Sequence, residues 1–420
     1  MDLTLADIVA AKNRIAEGIY LSPCPESIPL SEICHGRVFC KLDYLQRTGS
    51  FKERGARNAL LLLDAAHHRR GVISASAGNH ALGLAYHGKL LGIGVTVVMP
   101  RYAPLIKRTT CLALGAKIIL HGETFGEAYE RARELAVEQG LVYIHGFDDP
   151  AIIAGQGTIA LEILEQVPDV EAIVVPIGGG GLLAGIALAI KSVMPKVRLV
   201  GVEPARAAGF SASLAAGHVV KVPVEPTLAD GLAVGKIGEL AFEIARSRVE
   251  RVVTVSEEEL ALAMLRLAEL EKSVVEGAGA APLAALMTGK FPELDGLRTV
   301  IILSGGNVDP LMLSRVIERG LVTDGRLCRF TAVVTDRPGG LAKLTKLIAD
   351  TGASIQELVH DRTFSGPDLA AANVLCTVET ANRRHVEELY AALLEAGIRV
   401  VPERNGTPGL KATRGADAKP

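Results

Sequence analysis

The sequence predicts an α/β fold with two wound sheets followed by a smaller βαββαβ unit, and three observations carry that expectation. Short aliphatic runs alternate with stretches of helical periodicity across residues 37–320, as a sheet with crossover helices requires. Hydrophobic residues make up 49% of the chain but aromatic residues only 4%, and Trp is absent, so the interior must be built from Ala, Val, Ile and Leu. That mix suits parallel strands covered by helices. After Asp324-Gly325 the rhythm changes, which marks a further domain in a chain whose 420 residues already exceed one ordinary core.

The aliphatic runs that read as strands are 38–42, 72–76, 95–99, 117–120, 141–145, 172–177, 198–203, 251–255 and 299–303. Between them, 126–139 and 257–271 space their apolar residues as helices do. The second of these follows Ser256, and Glu259 completes a capping box. The stretch 172–190 carries no charge and is long enough to suggest a membrane helix. Pro176 and the run Gly178-Gly179-Gly180-Gly181 interrupt it, so it reads as a buried strand, a loop and a packed helix. Past Gly325, strands at 330–335, 354–360, 371–378 and 398–401 with helices at 339–350 and 383–396 give the ferredoxin-like order. The segment 403–420, rich in Gly, Pro and charge, reads as a disordered tail. The expected division is therefore 1–325, 326–404 and a tail at 405–420.

A net charge of −2 with scattered basic residues gives no general attraction to nucleic acid or an anionic membrane, so small-molecule chemistry is expected. The six cysteines form no CxxC pair and the ten histidines no HExxH, so no zinc site is expected and the thiols read as free cytosolic ones. Asp2, Asp7 and Lys12 break up the start of the chain before an apolar signal core could form, and a cytoplasmic location follows.

Three turns carry chemistry. Ser50-Phe51-Lys52-Glu53 opens the helical run 54–64, and Ser50 with Glu53 reads as a capping box that places Lys52 in the first turn. There the helix dipole disfavours an ammonium ion, as a nucleophilic amine requires. Taken alone, Lys52 is an ordinary exposed helical lysine. Ser76-Ala77-Gly78-Asn79-His80 follows a strand and opens the helix 81–91, so its backbone N–H groups could receive a carboxylate; alone it is a capped turn. Gly178–Gly181 lies between a strand and a helix starting near Leu182, an arrangement that cradles phosphate. A rival reading exists, because Gly179, Gly181 and Ala184 satisfy G-x-G-x-x-A and Glu203 ends the next strand, which is the fingerprint of an NAD-binding dehydrogenase. Glu203 reads equally as a strand-end carboxylate in solvent.

The segments 49–55 (GSFKERG), 74–80 (SASAGNH), 154–158 (AGQGT), 176–185 (PIGGGGLLAG), 227–231 (TLADG), 276–280 (EGAGA) and 303–309 (LSGGNVD) occur together in this order. In that combination the chain resembles the fold-type II pyridoxal-phosphate enzymes, in the branch of threonine dehydratase and serine racemase, whose catalytic region is tryptophan synthase β-like. The resemblance implies that Lys52 carries the cofactor as a Schiff base and acts as general base, that Phe51 packs on the pyridine ring, and that Asn79 bonds the ring hydroxyl. It further implies that Gly178, Gly179, Gly180, Gly181 and Leu182 hold the phosphate and that Ser304 faces the ring nitrogen. Ser76, Asn79 and His80 would take the substrate carboxylate.

The implied reaction is elimination of water and ammonia from L-threonine, giving 2-oxobutanoate, and from L-serine, giving pyruvate. Racemases of the branch carry a second serine where this chain has Ala77, which favours elimination over a racemase-like isomerisation. Glu203 matches the racemase cation site but Gly209 stands where an acidic ligand is expected, so no metal is predicted. The segment 330–401 resembles an ACT domain on the loop Asp336-Arg337-Pro338-Gly339-Gly340-Leu341, with Asp336, Gly339, Gly340 and Leu341 as its regulatory residues. That resemblance implies an amino-acid effector, isoleucine or valine, a place in isoleucine biosynthesis and a homo-oligomer; a purely structural unit, or a non-catalytic sensor with an inactive enzyme region, stays open.

Overall fold

The computed structural model describes residues 3–103, 105–362 and 370–403. The expected tail lies outside these residues. Two compact units divide between Leu313 and Ser314, inside the helix Pro310–Asp324.

The first unit holds two sheets. The larger runs in the order Glu26–Ser27, Arg37–Lys41, Arg298–Ile302, Ala172–Pro176, Arg198–Pro204, Arg251–Val255, parallel throughout except for the short first strand. The smaller is all parallel, in the order Lys117–Leu120, Val95–Met99, Val72–Ala75, Val142–Tyr143. The two-sheet α/β expectation is met. Only the antiparallel pair at Glu26–Ser27 went unforeseen, because two residues carry no periodicity. No described helix is long and apolar enough to cross a membrane. The uncharged stretch instead supplies Ala172–Pro176 and the helix Gly181–Val193, both buried in the core of the larger sheet.

Close helix packing explains the AGQGT segment. A Cβ on Gly155, in the helix Pro150–Gln166, would lie 2.6 Å from the Cα of Gly55 in the helix Lys52–Leu61. On its other side the same helix meets Gly185 of Gly181–Val193, where an added Cβ would fall 2.6 Å from the Gly157 nitrogen. Thr158 and Glu162 then reach the buried Arg54, whose Nη1 donates to Thr158 Oγ1 at 3.1 Å and to Glu162 Oε1 at 2.6 Å. Arg54 also forks onto Asp43, with Nε and Nη2 each 2.8 Å from a carboxylate oxygen, and Lys41 Nζ reaches Glu162 Oε2 at 2.6 Å. Two cations and two carboxylates thus neutralise each other out of water and fix the start of the Lys52 helix.

The second unit pairs four antiparallel strands in the order Ser354–Asp361, Ala371–Glu379, Leu327–Thr335, Arg399–Pro402, the ferredoxin-like arrangement the sequence predicts. Alternate residues Phe330, Ala332, Val334 and Ala372, Val374, Cys376 face a core closed by Leu344 and Ile348 of Gly340–Asp350 and by Leu389 and Leu393 of Arg383–Glu395.

Candidate active site

The candidate residues of the first unit follow the carboxyl ends of parallel strands, where open α/β sheets form their ligand crevice. Asn79 and His80 open the helix Asn79–Leu91 after Val72–Ala75, the glycine run follows Ala172–Pro176, Ser304 follows Arg298–Ile302, and Lys52 opens the helix after Arg37–Lys41.

Lys52 is the first residue of its helix, and its Nζ donates to the Gly146 carbonyl at 2.8 Å. The amine lies 5.2 Å from the centre of the Phe51 ring. Burial lowers its pKa to about 8, against the opposing pull of Glu276. Desolvation is the main cause of the lowered pKa. The expected capping box is corrected here. Phe51 is the N-cap, the Ser50 hydroxyl is buried without a partner, and the Glu53 carboxylate accepts from Thr48 N–H and from His87 Nε2 at 3.1 Å. Tertiary partners took Glu53 from the local cap. The turn is held instead by Phe51 N–H, which donates to the Ser304 carbonyl at 3.0 Å and so ties Lys52 to the buried Ser304.

The residue after Gly146 joins the lysine to the glycine run. The Phe147 ring lies where a side chain on Gly179 would stand, and its carbonyl where one on Gly181 would stand. Gly180 has φ +92°, a left-handed conformation open to glycine, and it caps Gly181–Val193. The loop is thus a backbone cradle at a helix N-terminus, with Leu182 in the first turn. A side chain on Gly178 would press on the backbone of Leu232 and on the carbonyl of Gly231, the last residue of the TLADG segment. Neither Gly146 nor Phe147 carries a local sequence signal.

Asn79 donates from Nδ2 to Glu276 Oε1 at 2.7 Å. Glu276 is buried, and burial with the nearby Asp230 raises its pKa to about 7 while Lys107, Asn79 and the Asn307 N–H oppose the rise. Glu276, like Gly146 and Phe147, is not among the residues the sequence singles out, although it lies in the EGAGA segment. Ser76 Oγ accepts from Gly78 N–H at 3.3 Å. His80 is buried, with Nε2 3.4 Å from the Ile144 carbonyl and Nδ1 unpartnered. Burial, then the Lys52 charge, lower its pKa to about 3, so the ring is neutral near pH 7.

Glu203 is also corrected. It is buried rather than in solvent, and its oxygens accept from Phe210 N–H at 2.6 Å, Ser211 N–H at 2.9 Å and Ser211 Oγ at 2.7 Å. Both oxygens hold the start of the helix Gly209–Ala216, which removes the carboxylate a dehydrogenase would need for a ribose. In the second unit, Gly339 (φ +96°) caps Gly340–Asp350, Asp336 pairs with Arg362 at 2.9 Å, and Leu341 is partly exposed.

An amine readily neutral near pH 8 can attack carbonyls, and the backbone cradle one residue away, at a helix N-terminus, is able to receive an anion. A cofactor that carries both a carbonyl and a phosphate fits this arrangement. Fold and site therefore define a cofactor-dependent α/β enzyme that works on amines. The chain belongs to the pyridoxal-phosphate dependent enzyme family, whose profile matches residues 15–305. It is 44% identical over 398 residues to the L-threonine ammonia-lyase of Thermotoga maritima, covering 95% of this chain and 99% of that protein. Among solved structures, threonine deaminase isoform 2 of Solanum lycopersicum superposes with a TM-score of 0.72 at 38% identity, over 75% of this chain and 86% of that one. Serine racemase of Dictyostelium discoideum gives 0.69 at 36%, over 73% and 99%.

Proposed function

We propose that this protein is a threonine ammonia-lyase that converts L-threonine to 2-oxobutanoate and ammonia, and L-serine to pyruvate and ammonia. The observation that carries the reading is the buried Lys52 amine, tied through Gly146 and Phe147 to the glycine cradle. The choice of threonine follows the Thermotoga maritima relative, whose similarity is long enough to run through the second unit as well.

Pyridoxal phosphate, when bound, supplies an electron sink for the charge left at the substrate α-carbon. Gly178, Gly179, Gly180, Gly181 and Leu182 would hold its phosphate, Phe51 would pack on its ring, Asn79 would meet the ring oxygen and Ser304 the ring nitrogen. Lys52 removes the α-proton, and a pKa of about 8 suits a base working near neutrality. The Ser76 hydroxyl and the N–H groups of Asn79 and His80 receive the substrate carboxylate at the helix start. The His80 ring adds no positive charge there, since Nε2 is turned to Ile144 and the imidazole is neutral. Ala77 packs against the core of the smaller sheet and has no proton to give, so this turn lacks the second base of the racemases and elimination prevails over racemisation.

The second unit is read as an ACT-type sensor of isoleucine or valine, with Asp336, Gly339, Gly340 and Leu341 at its ligand loop and a homo-oligomer as its setting. The free thiols fit a cytoplasmic enzyme of isoleucine biosynthesis. The test is a keto-acid assay on L-threonine and L-serine, with an absorbance spectrum of wild type and Lys52→Ala. Wild type should be coloured and active, and the variant should lose both properties. A colourless wild type that makes no keto acid after added pyridoxal phosphate overturns the reading.

A further inference from the structure

The Asn79 side chain is held at both ends of its amide. Nδ2 donates to Glu276 Oε1 at 2.7 Å, and Oδ1 accepts from Asn307 Nδ2 at 2.9 Å. Asn307 is fixed in turn, because the same Nδ2 donates to the Thr48 carbonyl at 2.6 Å. A carboxylate can only accept and the Asn307 amine can only donate, so the two partners permit one orientation of the Asn79 amide. The oxygen is engaged on Asn307. The group left over is the second N–H.

We infer that Glu276 is a positioning residue that acts through Asn79, turning an amide N–H, and never the amide oxygen, toward the ring oxygen of the bound cofactor. This rests on the proposed reading of Asn79 as the neighbour of that oxygen. A donor in that place favours the ionised ring oxygen over the hydroxyl. The placement of Glu276 is specific. A side chain at Gly305 would collide with the carboxyl, and the Glu276 N–H donates to the Gly305 carbonyl at 3.0 Å, which binds it to the strand end that also carries Ser304.

Three charged groups act on it from neighbouring elements: Asp230 from the turn Asp230–Leu232, Lys107 from the helix Leu105–Ala113, and Lys52. With its pKa near 7, Glu276 is a strong acceptor for Asn79 only on the alkaline side of neutrality. On the acid side the protonated carboxyl is a weaker acceptor, and Asn307 alone holds the Asn79 amide firmly.

The experiment follows the visible absorbance of full-length holoenzyme against pH for wild type, Glu276→Gln and Asn79→Ala, with cofactor affinity measured by equilibrium dialysis. Glu276→Gln is nearly isosteric and cannot ionise. Wild type should show a spectral transition near pH 7, and Glu276→Gln should remove it and weaken pyridoxal phosphate binding roughly tenfold, the size of one charge-assisted hydrogen bond. Should the Glu276→Gln titration superimpose on wild type while Asn79→Ala differs, the role of Glu276 is overturned and Asn79 keeps its own. Should Asn79→Ala superimpose as well, Asn79 does not meet the ring oxygen and both readings fall.

Discussion

At the scale of single residues, the lowered pKa of Lys52 and its cost to the fold have one cause. Burial lowers its pKa from 10.5 to about 8, so the folded chain binds this proton less tightly than the unfolded chain does. Stability therefore rises as pH climbs from about 8 to 10.5 and is reduced by the full amount below that window. Lys52→Met, which keeps the length and removes the charge, should stabilise the apo form at pH 7 by ~1–3 kcal/mol, and the gain should vanish near the unfolded pKa. Urea unfolding at the two pH values checks this, and an equal gain at both would show that packing, not charge, is responsible. Glu276 runs the other way. Its pKa rises from 4.5 to about 7, so the stability tied to its proton is complete below 4.5 and lost as pH passes 7. The apo form of Glu276→Gln should thus gain stability over wild type at pH 8 but not at pH 4.5, as thermal unfolding can read.

At the scale of elements, the helix Lys52–Leu61 owes its position to contacts that leave no room for a methyl group. Gly155→Ala would set a carbon 2.6 Å from the Gly55 Cα and 2.7 Å from the Arg54 carbonyl, and both are backbone atoms. A loss of ~1–3 kcal/mol is expected. Gly94→Ala, with nothing within 4 Å, should stay within about 0.5 kcal/mol and serves as the control. Replacing Arg54 by Met would leave Asp43 in the interior without its cation, with Glu162 held by Lys41 alone, and should cost about 3–5 kcal/mol. The strands were legible in the sequence because aliphatic runs such as 95–99 and 251–255 coincide with Val95–Met99 and Arg251–Val255. The Ser256–Glu259 capping box was legible too, since both partners lie within one turn. The Ser50–Glu53 box was not, because His87 and Thr48 compete for Glu53 and only the tertiary structure brings His87 there. For the same reason Lys52, Asn79 and the glycine run could be named from motifs, whereas Phe147 and Glu276 come to the site through packing alone.

At the scale of the whole molecule, the residues proposed for catalysis all precede the helix Pro310–Asp324, and those proposed for sensing all follow it. Because the division between units falls inside that helix, a truncation that respects the elements ends after Asp324. The shortened chain should keep its cofactor spectrum and its activity on threonine and lose any response to isoleucine or valine, since an effector shifts an equilibrium only through unequal affinity for two states. The loop glycines separate ligand binding from folding. Any side chain at Gly340 would meet the Thr335 carbonyl, so substitution there disturbs the domain itself. Gly339 faces open space but has φ +96°, a conformation that Asn tolerates better than other side chains. Gly339→Asn in the full chain should therefore leave folding, the visible spectrum and basal turnover in place while weakening the amino-acid response. Isothermal titration with isoleucine and valine, run on wild type and on Gly339→Asn, gives the outcome directly. Binding to wild type that the substitution weakens supports a sensor at this loop, whereas absence of binding to wild type, with no effect on rate, makes the second unit a structural one.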